Sequence, residues 1–218
     1  MSSTVELVWA TPNIDENLAY IARVSNPVNQ ANPNITKLLA YMLEHGHVSP
    51  FEMASVCLEI NTTRDIGRQI LRHRSFSFQE FSQRYQDVST LDGGILRECR
   101  LQDKTNRQSS TKCNDPMLVK WWNEIQSEQI MRSLQLYKRA LNQGIAKEQA
   151  RALLPEGLTA TRMYMSGTLR SWIHYLQSRL DPSTQKEHRE IAERVLWHLR
   201  SVAPVVMEAV FGEAKDGS

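Results

Sequence analysis

Apolar residues recur along the chain with two different periods, and the switches between them divide it into elements. Val5-Glu6-Leu7-Val8-Trp9-Ala10 reads as a short strand. Over residues 13–24, Ile14, Leu18, Ile21 and Ala22 follow helical spacing. Asn34 is placed to cap a second helix, whose stripe of Ile35, Leu38, Leu39, Met42 and Leu43 runs out at Gly46, a natural helix C-cap. His45 lies where a helix dipole favours a cation. Residues 54–60 alternate, with Val56, Leu58 and Ile60 on one face of a predicted strand. Thr62 or Thr63 then caps a helix through Leu71.

The pattern weakens over residues 86–115, where Leu, Ile and Val are scarce and polar residues run together. Ile95–Gln102 offers one strand, and the rest reads as a mobile loop. Loops beyond about 12–15 residues inside compact domains are usually lids, binding loops or disorder. Pro116 opens a long helix through about Asn142, with a stripe of Leu118, Trp122, Ile125, Gln129, Leu134, Leu136 and Tyr137, and Gly144 stops it. Residues 147–154 form a short helix ended by Pro155, and Thr159–Met165 reads as a strand. A helix from about Leu169 carries Trp172, Ile173 and Leu176 and breaks at Asp181-Pro182-Ser183. Thr184 and Glu187 make a capping-box pattern for a last long helix with Ile191, Val195, Leu199 and Val202 on one stripe. Helix dominates and the strands are scattered, which favours an α+β fold over a doubly wound sheet.

Composition narrows the classes. With 218 residues the chain can bury one substantial core. Its 26 basic and 24 acidic residues leave a net charge of +2, too balanced for a protein that coats nucleic acid. No apolar run is long enough to span a membrane, and the N-terminus lacks the charged and apolar regions of a secretory signal. Cys57, Cys99 and Cys113 are odd in number and far apart, so neither a disulfide framework nor a zinc site is expected, and a reducing compartment is. His45 and His47 form a pair without further ligands nearby, so no metal is expected.

The basic excess is local. Arg64, Arg68 and Arg72 stand at i, i+4 and i+8, sharing one helical face, where like charges repel by roughly 0.2–0.5 kcal/mol per pair. Buried carboxylates from elsewhere in the fold or a bound polyanion must offset this. The run then continues as Arg72-His73-Arg74-Ser75-Phe76-Ser77-Phe78-Gln79-Glu80-Phe81-Ser82-Gln83-Arg84-Tyr85. Arginine keeps its proton and its planar fork fits phosphate oxygens in pairs. Arginines packed among hydroxyls and aromatics point to an anionic, ring-bearing ligand, with Phe76, Phe78 and Phe81 as packing that fixes the segment. A single-strand nucleic-acid module is the competing reading, and Glu80 amid the cluster argues against it.

This segment resembles the signature of the flavin-dependent thymidylate synthases: Arg-His-Arg, two residues, Ser, four residues, Ser, one residue, Arg, here Arg72-His73-Arg74, Ser77, Ser82 and Arg84. His47–Glu52, Ala150–Pro155 and Leu176–Asp181 are similar to further boxes of that family, in the family's order, and Gln69 stands three residues before the signature as in its members. The resemblance implies one domain over residues 1–218, a small antiparallel sheet with several long helices, and a homotetramer whose active sites are shared between subunits. It implies conversion of dUMP to dTMP, with methylenetetrahydrofolate as carbon donor, reduced FAD as hydride source and NADPH as reductant. No nucleic-acid or membrane partner is implied, and the location is the cytoplasm, or the host cytoplasm for a viral source. Gln69, Arg72, Glu80, Ser82, Gln83, Arg84, Arg151 and Arg179 match dUMP-binding positions. Ser49, Arg72, His73, Arg74, Glu80, Thr168, Arg170 and His174 match positions near FAD. Arg179 matches the residue that polarises the uracil ring and is the catalytic candidate. The chain departs from the family pattern at Ser183, where a histidine is usual, at His174 and Thr168, which replace asparagines, and at Ser49, which replaces threonine.

Overall fold

A computed structural model describes residues 3–91 and 94–213. Asp92 and Gly93, within the predicted 86–115 loop, lie outside the described residues. Four strands form an antiparallel sheet in the order β1 (Thr4–Ala10), β2 (Ser55–Thr63), β6 (Ala160–Thr168), β3 (Ser77–Glu80). The predicted α+β class with a small antiparallel sheet and several long helices is what the chain adopts. β2 and β6 are the central strands, paired from Ser55 opposite Thr168 to Thr63 opposite Ala160. Val56, Leu58 and Ile60 of β2 and Met163 and Met165 of β6 are buried. They pack with Trp172, Tyr175 and Leu176 of α6 (Leu169–Arg179) and with Ile191, Val195 and Leu199 of α7 (Lys186–Val202) in one cluster. α1 (Ile14–Ala22) and α2 (Thr36–Glu44) join the same core through Ile14, Leu18, Leu39 and Met42.

Several expected boundaries move. β3 lies inside the signature and was not foreseen, because its Ser-Phe-Gln-Glu sequence has little apolar alternation and, among the described residues, it pairs with β6 alone at the sheet edge. Asn34 does not cap α2, which has Ile35 at its cap position and no side-chain cap; the Asn34 carbonyl instead accepts from Arg23 Nη2 at 2.7 Å. Thr63 does precede α3 (Arg64–Ile70), yet its hydroxyl donates to Asp65 Oδ1 and caps no backbone amide. The expected Thr184–Glu187 capping box does not form. Gln185 takes the cap position of α7, Thr184 Oγ1 donates to the Ser178 carbonyl, and Glu187 is drawn to Arg97 and Arg100. Gly46 does close α2 in the left-handed region at φ 68°, and His45 Nδ1 lies 2.9 Å from the Tyr41 carbonyl of the last turn.

α4 (Pro116–Asn142) has the predicted limits but a rotated seam. Its buried line is Gln126, Ile130, Ser133 and Tyr137, while Gln129 and Leu136 are exposed. Two polar residues sit in that line, and Gln126 is satisfied by the backbone of Arg97. A pattern of apolar residues alone cannot find such a seam. The strand expected over Ile95–Gln102 contracts to β4 (Arg100–Gln102), which pairs with β5 (Ser110–Lys112). One step beyond that ladder Cys113 N donates to Cys99 O at 3.3 Å, and all three cysteines are buried and free. The short helix α5 (Lys147–Ala150) continues as a 3₁₀ turn over Arg151–Leu153. α8 (Pro204–Phe211) was not predicted as separate. It restarts after Ala203, whose extended φ of −144° breaks α7 ahead of proline. Among the described residues no helix is long and apolar enough to cross a membrane.

Candidate active site

α3 delivers the three arginines of the basic face to different surroundings. Arg64 is buried, Arg68 and Arg72 are exposed, and Gly67 lies where α3 meets β6. The carboxylates that offset this face are Glu80 at the end of β3 and Glu156. Glu80 Oε1 lies 3.5 Å from Arg64 Nη1 and accepts from Thr161 Oγ1 at 2.9 Å, and Oε2 lies 3.5 Å from Arg68 Nη1. Glu156 is 3.5 Å from Arg64 Nε and 3.3 Å from Arg68 Nε. Of the two roles open to Glu80, a ribose contact or the holding of an arginine fork, both its oxygens are engaged in the second.

After α3 the chain turns through Arg72–Phe76 into β3. Phe76 is buried edge-on against Trp172, with ring centroids 4.7 Å apart, and Phe78 packs beside it. Phe81 joins a smaller cluster with Val88, Tyr137 and Ala150. The phenylalanines are therefore packing, as expected. Gly167 on β6 makes room for this arrangement, since a Cβ there would sit 2.7 Å from Phe76 Cε1.

Two groups of the predicted residues emerge. In the first, Arg179 at the end of α6 donates from Nε to His73 Nε2 at 2.9 Å. Burial, reinforced by the charges of Arg179, His174 and Arg72, pushes the His73 pKa down to about 4, so the imidazole is neutral and can accept. Arg179 therefore meets the signature of its own chain and does not require a neighbouring subunit to reach it. His73 is also edge-on to Tyr175 at 4.9 Å. Gln69 lies nearby, with Oε1 3.2 Å from His188 Nδ1 and Nε2 donating to Gln185 Oε1 at 2.8 Å.

In the second group, Arg84 Nε lies 3.6 Å from Glu148 Oε2, and Arg151 Nε donates to the Glu148 carbonyl at 3.2 Å. Lys147 Nζ donates to the Tyr85 carbonyl, tying the end of the signature to α5. Ser82 opens onto a cleft of about 450 Å³ that also contains Gln79, Glu80, Phe81, Tyr85, Gln86, Arg162 and Tyr164. Gln83 is buried, and its side-chain amide nitrogen finds no acceptor among the described residues. Arg72 and Arg74 are exposed and have no carboxylate partner among the described residues. No hydrogen bond or ion pair among the described residues joins the two groups.

The residues expected near a flavin form a third set. Thr168 caps α6 by accepting from Ser171 N and donates to Glu52 Oε2 at 2.7 Å, while Arg170 Nη1 donates to Glu52 Oε1 at 2.8 Å. These bonds pull down the Glu52 carboxyl pKa, Thr168 more than Arg170. Ser49 begins the same 3₁₀ turn as Glu52, so the His47–Glu52 box and the start of α6 are joined. Ser49 and His174 are exposed, and their side chains carry no hydrogen bond among the described residues.

Sequence reasoning missed His188, Tyr175, Gln185 and Arg97. His188 and Tyr175 are wholly buried beside His73 and Gln69. Arg97 donates to Asp65 Oδ1 at 2.6 Å and to the Thr63 hydroxyl, while Trp122 and Gln126 donate to its carbonyl. This residue fastens the 86–115 stretch to α3 and α4, and it borders a cavity of about 680 Å³ with Trp122, Gln185 and Glu187. A histidine in an otherwise amphipathic helix and a single arginine in a polar run gave no signal in one sequence.

The profile of the family described as "Thymidylate synthase complementing protein" matches residues 6–205. A flavin-dependent thymidylate synthase of Synechocystis sp. is 55% identical over 175 residues, covering 80% of this chain and 79% of that protein. A probable flavin-dependent thymidylate synthase of Paramecium bursaria Chlorella virus 1 is 45% identical over 193 residues, covering 88% of each. Among solved structures, the UMP/dUMP methylase PolB from Streptomyces cacaoi bound with 5-Br dUMP matches with a TM-score of 0.81 at 26% identity, covering 96% of this chain and 95% of that one. The same enzyme bound with 5-Br UMP gives 0.82 at the same identity. A match of the family profile across nearly the whole chain, with relatives at 55% and 45% identity, means that this chain belongs to the thymidylate synthase complementing protein family.

Proposed function

We propose that the protein is a flavin-dependent thymidylate synthase, an FAD-dependent methyltransferase that converts dUMP to dTMP. The observation that carries this reading is the cationic surface of the signature. Arg72 and Arg74 lack carboxylate partners among the described residues, and Arg84 has only a distant, exposed one in Glu148. Guanidinium groups left open in this way fit the phosphates of a nucleotide and of a dinucleotide cofactor. The buried, unpaired amide of Gln83 is a further donor available to a ligand.

In the proposed roles, Arg84, Ser82 and Arg151 hold the nucleotide phosphate. Charge-assisted hydrogen bonds of this kind contribute about 1.5–3 kcal/mol each. Gln69, Arg72, Gln83 and Arg179 face the rest of dUMP, and Glu80 keeps the basic face in place from behind. Arg179 stabilises negative charge spread over the pyrimidine, which is largest in the transition state, where such stabilisation accelerates reaction. Its Nε is spent on neutral His73, so its terminal nitrogens remain for the base. His73 is thereby occupied, which leaves Ser82 without a general base and favours binding over nucleophilic attack. Ser49, Thr168, Arg170 and His174, with Arg72, His73 and Arg74, line the proposed FAD side, and Glu80 serves it only by holding the arginine face. Bound FAD supplies reducing equivalents, drawn from NADPH, and methylenetetrahydrofolate supplies the carbon.

The purified protein is expected to be yellow, to release FAD on denaturation, and to shift its visible spectrum when dUMP is added. It is expected to form dTMP from dUMP only when NADPH and methylenetetrahydrofolate are both present. A colourless protein that FAD cannot reconstitute would end this reading.

A further inference from the structure

A chain of hydrogen bonds passes through Gln69, and its charged end fixes the direction of every proton along it. Glu187, in the first turn of α7, is 2.6 Å from Arg100 Nη2 and 3.5 Å from Arg97 Nη1. Burial alone would raise its carboxyl pKa, but hydrogen bonds from Gln185 and from its own backbone N–H, with the two arginines, hold it below the usual range. An ionised carboxylate can only accept. Gln185 therefore turns its Nε2 toward Glu187 Oε2, at 2.9 Å. That leaves Gln185 Oε1 to accept from Gln69 Nε2 at 2.8 Å. Gln69 Oε1 then faces His188 Nδ1 at 3.2 Å, so this nitrogen must carry the imidazole proton. His188 Nε2 is left as a lone pair for the Tyr175 hydroxyl at 3.2 Å. Burial, aided by the charges of Arg179 and His73, pushes the His188 pKa down to about 3, so the ring has one proton to place.

We propose that His188 is a positioning residue for Gln69, acting as its Nδ1–H tautomer. It holds the Gln69 carbonyl inward, so that the polar hydrogen Gln69 can offer a ligand is the second N–H of its amide. A fixed donor suits a ligand oxygen, such as a uracil carbonyl, and rejects a ligand N–H at the same place. The two ends of an amide are nearly equal in shape, and only hydrogen-bond partners distinguish them. Without His188 the Gln69 carbonyl loses its inward donor, and Gln185 alone is left to hold the amide in place. The inference rests on the reading of Gln69 as a nucleotide contact, while the tautomer itself stands on the hydrogen-bonded chain alone.

Binding of dUMP to the FAD-loaded protein, followed by calorimetry, tests the first part. His188→Leu is expected to weaken dUMP about tenfold, the size of one lost, well-placed hydrogen bond. His188→Asn, which keeps an N–H donor near the same position, is expected to recover most of that loss. In a Gln69→Ala background, His188→Leu should change the affinity by less than about twofold, because neighbours acting through one group are not additive. An equal loss in both backgrounds, or no loss with Gln69 intact, overturns the positioning role. Nitrogen-15 spectra of histidine-labelled protein, with His188→Asn identifying the resonance, test the tautomer in the unsubstituted chain. A protonated Nδ1 with a bare Nε2 is expected, and the opposite assignment overturns the chain. Failure of the unsubstituted protein to bind dUMP would count against the proposed function, and the spectra would still decide the tautomer.

Discussion

His73 and His188 sit where burial makes a positive charge unfavourable, and the consequence is an acid limit on stability. The unfolded chain takes up protons on these imidazoles near pH 6.5, the folded chain only near about 4 and 3. Their contribution is therefore complete above about pH 6.5–7 and is lost as pH falls toward the folded values. His188, which is fully buried, should alone remove on the order of 2 kcal/mol between pH 7 and pH 5. Urea midpoints measured at the two values should drop at pH 5 with an unchanged slope, and a flat profile would contradict the burial of these rings. Arg84 and Arg179 divide binding from turnover at the same scale. Arg84→Ala is expected to raise the dUMP dissociation constant roughly ten- to a hundredfold with little change in kcat. Arg179→Ala is expected mainly to lower kcat. The reverse pattern would exchange their roles.

Among the elements, β3 and α6 depend on one close approach. Phe76 lies between Trp172 and the backbone of Gly167, and among the described residues β3 pairs with β6 alone. Gly167→Ala places a methyl group against the Phe76 ring and forces that ring out of its site. Overpacking of this kind costs about 1–3 kcal/mol. The expected result is a lower melting temperature together with faster amide exchange in Ser77–Glu80, relative to β1. Uniform acceleration through both edge strands would show that Phe76 supports the whole sheet and not the signature alone. The 86–115 stretch shows the opposite balance. Its sequence offers few apolar residues, yet Arg97 joins it to Thr63, Asp65, Trp122, Gln126 and Glu187. Around Arg97 the attachment comes from polar contacts with elements distant in sequence, which hydrophobic periodicity does not record.

For the whole molecule, the two groups of site residues raise the question of assembly. Arg179, His73 and Gln69 gather at the ends of α3 and α6, whereas Arg84 and Arg151 gather around Glu148 on α5. In the homotetramer that we propose, one active site takes the first group from one subunit and the second from a neighbour. Met117, Trp121 and Met131 on α4 and Trp197 on α7 are large apolar residues left exposed in the single chain. Arg84→Ala and Arg179→Ala subunits, each impaired alone, should then regain part of the activity when unfolded and refolded together, because mixed assemblies contain some intact sites. Mixtures that show only the average of the two variants would place both groups in a site made by one chain.

The sequence alone determined the long helices, the central strands and the residues of the signature, because periodicity, helix stops and fixed spacing are local properties. It also determined that the arginine face of α3 needed compensation, since like charges at i, i+4 and i+8 repel wherever the helix is placed. Tertiary structure decided which carboxylates supply it, Glu80 and Glu156, and that Arg179 closes onto His73. It decided as well that a histidine without a motif, His188, stands behind Gln69. Each of these is a meeting of residues far apart along the chain. Partners of that kind are selected by packing and by the satisfaction of buried polar groups, and neither leaves a trace in the spacing of a single sequence.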